Sequence, residues 1–201
     1  MRNKILVWDL PTRLFHWLLA ASFIGAFLTA ESEYWRDIHV ALGYTVVGLI
    51  GFRLIWGAVG SRYARFSSFA FGPSKLLAYL KSLLSGSPRH YVGHNPAGSW
   101  VIYGLLVLGL LAGASGYATY NELGGEWLEE LHEGAANTML ALVGVHVAGV
   151  LVSSLLHHEN LVRAMIDGYK RGEPGQGIRR VGWLVGIGLI LGVVALWSKL
   201  I

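Results

Sequence analysis

The chain has 201 residues, 54% of them hydrophobic and only 14% charged, where a soluble domain is about half apolar and about a quarter charged. Lipid accounts for such a shift better than a large core does, and the length suits one compact bundle rather than two domains. The lack of cysteine excludes disulfides, thiolate clusters, cysteine-based zinc sites and thioether-linked cofactors, and the formal charge of +4 matters less than where the basic residues lie.

A spanning helix needs about 20 mostly apolar residues, and five stretches come close. Residues 14–30 carry no Asp, Glu, Lys or Arg, and 38–60 are interrupted only by Arg53. Residues 98–120 and 134–156 are free of those four types as well, and 181–198 form a shorter fifth run. Barrel strands alternate polar and apolar residues; these runs do not. The expectation is an all-α integral membrane protein. It has a four-helix bundle with spans at about 12–30, 38–60, 98–120 and 132–158, plus one additional C-terminal transmembrane helix. Residues 1–172 form the membrane domain and 173–201 a linker with the extra helix. A cleaved signal peptide is the rival reading of the first run, but the run is long and its histidine has another use.

Lys and Arg favour cytoplasmic loops. They collect in three segments: Arg2, Lys4 and Arg13; Arg62, Arg65, Lys75, Lys81 and Arg89; and Arg163, Lys170, Arg171, Arg179 and Arg180. With all spans real, these segments fall on one side. The other side holds Glu31, Glu33, Arg36 and Asp37, then Glu122, Glu126, Glu129, Glu130 and Glu133. The N-terminus is therefore expected in the cytoplasm and the C-terminus outside. Between the second and third spans, Leu76, Leu77, Leu80, Leu83 and Leu84 make one stripe beside Lys75 and Lys81. That predicts an amphipathic helix over about 73–85, lying on the membrane surface or docking a partner. Residues 172–177, with Pro174, read as a short flexible link.

An ionisable or metal-ligating residue inside a membrane is costly and points to function. Of eight histidines, His16, His39, His132 and His146 lie within or at the ends of the first, second and fourth spans. His39 and His132 both sit at the outer ends of their spans. His146 is fourteen residues further along its helix, roughly 21 Å deeper at about 1.5 Å per residue. His16 is fourteen residues before Ala30, so it lies at a similar depth. The four thus make two level couples. Fourteen residues come within about 40° of whole helical turns, so His132 and His146 share one face, with Ala136, Met139 and Val143 along the stripe.

A structural zinc wants four ligands in a tetrahedron, and each level offers two. Two imidazoles on opposite sides of a plane suit a haem iron instead, and helix bundles commonly house such sites. Gly43, Gly48, Gly51, Gly104, Gly109, Gly113 and Gly144 leave room for a macrocycle; ordinary close helix packing is their other use. Each histidine taken singly also has a plain reading as a hydrogen-bonded bundle residue. Two axial histidines fill the coordination sphere, which favours electron transfer over oxygen chemistry.

At these residues the sequence resembles the prokaryotic cytochrome b561 family, especially the b-type cytochrome subunits that accompany nickel–iron hydrogenases. The matching segments are Val7-Trp8-Asp9-Leu10-Pro11-Thr12-Arg13-Leu14-Phe15-His16-Trp17, His39, Phe52-Arg53-Leu54-Ile55-Trp56-Gly57, Gly93-His94-Asn95-Pro96-Ala97-Gly98, Leu131-His132-Glu133 and His146. The likeness covers roughly residues 5–170. It implies two b-type haems (heme b), one on His16 and His146 and the other on His39 and His132. It also implies electron exchange in a bacterial inner membrane between quinone and a redox partner such as a hydrogenase or a c-type cytochrome. The fifth span departs from the four-helix core. Nucleic acid is not among the expected partners.

Haem propionates favour nearby Arg. Arg13 and Arg53 are candidates at the inner level and Arg36 at the outer, with snorkelling to lipid phosphates as their alternative. His157 shares the face of His146 and is a candidate proton relay at a quinone pocket or a substitute ligand; His157 and His158 also read as plain interfacial residues. His94, with Asn95 and Pro96, reads as part of a helix start. The acidic stretch 122–133 is a candidate docking face for a basic partner, or a solvated loop. Two other functions use the same chain: a self-contained superoxide:quinone oxidoreductase, and a haem-free anchor.

Overall fold

A computed structural model of the chain describes residues 3–86 and 89–200. Strand β1 (Asn3–Leu6) precedes α1 (Leu10–Thr29) and α2 (Arg36–Val59). There follow α3 (Pro73–Leu84), α4 (Pro96–Tyr120), α5 (Trp127–Leu156), α6 (Leu161–Asp167), strand β2 (Tyr169–Gly172) and α7 (Trp183–Leu200). Among the described residues, five helices are long and apolar enough to cross a membrane: α1, α2 with the turn before it, α4, α5 and α7. The protein is an all-α multi-pass membrane bundle, as its composition leads one to expect.

Local chemistry sets the helix starts. Asp9 caps α1 by accepting from Thr12 N at 2.8 Å, with Pro11 in the first turn. Asn95 caps α4 in the same way, accepting from Gly98 N at 2.8 Å ahead of Pro96. Asn160 caps α6 through Arg163 N, and Gly168 closes that helix at φ 86°. These are the side chains that satisfy otherwise orphaned N–H groups, and the residue that tolerates a left-handed stop. At Gly168 a Cβ would also meet the Trp8 carbonyl at 2.6 Å. Within the spans, Thr45, Ser99, Ser115 and Thr138 donate to carbonyls four residues back on their own helices, so none needs water.

Two hairpins make the bundle. α1 packs on α2, α4 packs on α5, and the α2–α4 contact joins the pairs. That seam is tight because Gly109 and Gly113 lie where a Cβ would come within 2.5 Å of Ile50 and 2.2 Å of Val47. Small residues let membrane helices approach in this way. Val46, Ile50 and Leu106 fill the centre, backed by Leu19, Phe23, Phe66 and Ile102. Leu28, Ile55, Val107, Leu155 and Leu184 are exposed around the outside, where lipid covers them. α7 lies against α1 and α2. Its Gly186 sits on Leu10 and Leu14, and its Trp197 Nε1 donates to Thr45 Oγ1 at 2.9 Å.

The basic end carries a small polar-stitched cap that the helical reading did not anticipate. β1 pairs antiparallel with β2, from Asn3 opposite Gly172 to Leu6 opposite Tyr169. Gly168 O accepts from both Val7 N and Trp8 N. The link 172–177, expected to be flexible, is anchored: Tyr63 Oη donates to Gln176 O at 2.8 Å, and next to the link Ile178 N donates to Leu6 O at 2.8 Å. Ile5, Val7, Trp8, Tyr63 and Ala164 form the core of this cap. α3 also lies at this end. Tyr79 is buried under it while Leu77, Leu80 and Leu84 face outward, as a surface helix requires.

Asp9 holds α1 to α2 as well as capping α1, because both its carboxylate oxygens accept from Trp56 Nε1, at 3.1 and 3.3 Å. Asp9→Ala removes a cap and strands a buried indole N–H, a loss of about 2–4 kcal/mol. Asp9→Asn keeps the cap through Oδ1 but replaces the oxygen nearest Trp56 Nε1 by an amide donor, so a smaller loss of about 1–2 kcal/mol is expected. Equilibrium unfolding in mixed micelles measures both.

Candidate functional site

The four span histidines meet in the two couples expected from their heights. His16 of α1 faces His146 of α5 with ring centres 6.2 Å apart and planes at 49°. His39 of α2 faces His132 of α5 at 6.1 Å and 81°. α5 packs extensively on α4 but not on α1 or α2, so imidazoles rather than backbone close the space between them. Met139 is buried between the two levels, and Ala136 and Val143 are half-buried beside it.

The geometry tests whether these residues suit a haem. A metal–imidazole bond is about 2 Å, and the ring centre lies roughly 1.1 Å beyond the nitrogen, so two imidazoles on one iron have centres roughly 6.3 Å apart. Both couples have that spacing. Their ring nitrogens are also directed. His39 Nδ1 lies 2.9 Å from Ala26 O and His132 Nδ1 lies 2.8 Å from Ala112 O. A carbonyl only accepts, so each Nδ1 carries the proton and each Nε2 keeps its lone pair for a metal. This outer support is the usual partner of a ligating histidine. His16 Nδ1 is buried and has no partner among the described residues. Among those residues no three His, Cys, Asp or Glu side chains gather as a metal cluster. The residues fit.

The glycines divide by use. A Cβ at Gly43, Gly48, Gly51 or Gly144 would meet nothing within 4 Å, whereas Gly104, Gly109 and Gly113 are pressed on Leu142, Ile50 and Val47. Sequence reasoning passed over Gly116, whose Cβ would lie 2.8 Å from the His132 ring. It continues the i, i+4, i+7 stripe begun by Gly109 and Gly113, which was the available signal.

The three arginines have different surroundings. Arg53 is 3% exposed, lies 4.7 Å over the Phe66 ring, and has a buried Nη1 with no partner among the described residues. Arg13 Nη1 donates to Ile166 O, tying α1 to α6. Arg36 is exposed and pairs with Glu33 at 3.2 Å.

The histidines of the basic end are more deeply engaged than the sequence suggested. Asn95, not His94, makes the α4 cap. His94 is packed between Trp8 and Phe69, at 4.7 and 4.2 Å between ring centres. Burial pushes its pKa down to about 3, and the charges of Arg53 and Lys170 push the same way. Its ring borders a cavity of about 210 Å³ shared with Arg62, Tyr63 and Tyr91. The His157 ring meets His90 at 5.4 Å, while it is His146 that faces His16. Nearby, Lys170 is buried and pairs with Glu159 at 3.2 Å. Burial lowers the Lys170 pKa, and Glu159 partly offsets that.

Probable Ni/Fe-hydrogenase B-type cytochrome subunits of Azotobacter chroococcum mcd 1 and Azotobacter vinelandii are each 28% identical, over 84% of this chain and 89% of theirs. The probable Ni/Fe-hydrogenase 1 B-type cytochrome subunit of Escherichia coli K12 is 27% identical over 58% of this chain and 60% of its own length. No solved structure matches. The profile described as prokaryotic cytochrome b561 matches residues 7–168, and the chain belongs to that family.

Proposed function

We propose that the protein is a dihaem transmembrane cytochrome that passes electrons between the quinone pool and a peripheral redox partner, a nickel–iron hydrogenase by analogy with its relatives' names. Membership of a b-type cytochrome family implies haem b. The observation that carries the dihaem reading is the pair of facing imidazole couples, at 6.2 and 6.1 Å, fourteen residues apart on α5.

Haem iron bound there supplies one-electron exchange at two depths of the bilayer. The chain's own groups do the rest. His16 and His146 would hold the iron at one level and His39 and His132 at the other. The Ala26 and Ala112 carbonyls orient His39 and His132 and raise their basicity. Arg53 is the arginine best placed to balance a propionate, since it is almost fully buried with an unpartnered Nη1, whereas Arg13, whose Nε is also unpartnered, is tied through Nη1 to Ile166 O and Arg36 is exposed and paired with Glu33. In this reading residues 1–172 are the haem domain and 173–201 the anchored link with the extra helix. The basic end, with β1, β2 and α3, faces the cytoplasm of a bacterial inner membrane by the bias of its Lys and Arg. The acidic end, with Glu122 to Glu133 close to His132, faces the other compartment, and α7 brings the C-terminus there.

Replacing His16 or His146 by Ala is expected to lower the haem content from two per chain to one, and the same holds separately for His39 or His132. Haem extraction and protein assay measure this, and a variant that keeps two haems removes that residue from the ligand set. Gly116→Ala puts a methyl group against the His132 ring while the Ala112 hydrogen bond holds that ring in place. It should deplete the haem of the acidic end and spare the other, as read from the reduced-minus-oxidised spectrum. Quinol added to the purified protein should reduce haem; a wholly oxidised spectrum after quinol contradicts the quinone link.

A further inference from the structure

Of the side-chain nitrogens at the basic end that are buried without partners among the described residues, two belong to side chains that abut the same ring. Phe69 is almost fully buried. The His94 imidazole rests on it at 4.2 Å between centres, and the Arg53 guanidinium lies 5.8 Å from its centroid. Among the described residues, His94 Nδ1 and Arg53 Nη1 are both sealed from solvent and lack a hydrogen-bond partner. Such groups are rare in folded proteins and call for an explanation. Arginine has donors only, so its missing partner is an acceptor. His94 Nδ1 donates in the neutral tautomer that carries its proton there, and Trp8 also packs on the ring, at 4.7 Å between centres. Arg53 is fourteen residues after His39 on α2, about 21 Å further along the helix at about 1.5 Å per residue, which sets the pair near the level of the His16–His146 couple.

We infer that His94 is a positioning residue for the basic-end haem, donating Nδ1–H to the carboxylate that Arg53 also faces. The inference rests on the reading of His16 and His146 as ligands of one haem. One carboxylate has two oxygens and several lone pairs, enough for both donors. A guanidinium and a neutral N–H together stabilise the ionised carboxylate without adding a second buried cation beside the first. Loss of the N–H leaves the carboxylate charge less compensated, which favours the ferric state and lowers that haem's midpoint potential.

The test is an optical redox titration of the full-length, haem-loaded protein. His16→Ala first shows which midpoint belongs to the basic-end haem, since that variant loses it. His94→Phe fills the space but removes the N–H; His94→Asn carries an amide nitrogen close to the position of Nδ1. The expected result is two haems in H94F, a lowered basic-end midpoint, an unchanged partner midpoint, and a wild-type pair of midpoints in H94N. Unshifted midpoints in H94F overturn the proposal and mean that something other than the carboxylate, such as a bridging water, satisfies the two donors. Should H94F lose the basic-end haem, H94N decides. Retention at the wild-type midpoint supports the donor, and loss in both variants contradicts it because packing alone then accounts for the effect. Fewer than two haems in the wild type defeats the underlying reading of the couples, and that count is taken before any variant is compared.

Discussion

Everything about this bundle turns on placing four imidazoles in an apolar interior where each is costly. A histidine in lipid must have a partner for its N–H and a use for its lone pair. α5 meets that constraint twice, with His132 and His146 on one face, and α1 and α2 each supply one opposing ring. Where α5 leans on α4, the helices touch directly; where it faces α1 and α2, the rings span the space. The Ala26 and Ala112 carbonyls show how far the fold goes to hold two of these rings. They are backbone atoms of α1 and α4, so neither His39 nor His132 is oriented by its own helix.

The two ends of the bundle differ in kind. At the acidic end the His39–His132 couple lies near short connections with exposed carboxylates and aromatic side chains such as Tyr34 and Trp127. At the basic end a two-stranded ribbon, a surface helix and the anchored link wrap the chain around the approach to His16 and His146. The buried Lys170–Glu159 pair belongs to this wrapping. Buried ion pairs contribute little net stability, yet removing one partner is costly, so the pair fixes how the cap sits more than how firmly the protein folds. Among the described residues, most buried polar atoms without partners, including those of Thr12, His16, Arg53 and His94, also belong to this end. Their concentration there fits a polar ligand group better than scattered packing flaws.

The spans and the histidine levels were legible because both rest on helical period and rise, which a sequence displays directly. The surface helix 73–84 was legible for the same reason. The ribbon was not: Lys4 pairs with Arg171, and nothing local announces so distant a partner for a four-residue strand. The propionate candidates could be named but not ranked. Arg13 and Arg53 stood level as candidates in the sequence, and only packing shows that Arg53 is almost fully buried with an unpartnered Nη1 while Arg13 is tied through Nη1 to Ile166 O. His94 was read too locally. Its place next to a helix start suggested a cap, but Asn95 makes that bond and frees the imidazole to turn inward against Trp8 and Phe69. The fifth helix was visible as a span, while its docking through Trp197 and Thr45 depended on a contact across 152 positions.

In the proposed function both couples would bind six-coordinate iron. Low-temperature electron paramagnetic resonance of the oxidised, full-length protein tests that directly. Two low-spin ferric signals, integrating to two irons per chain, are the expected result. A high-spin signal of comparable weight, or a single low-spin centre, would contradict it.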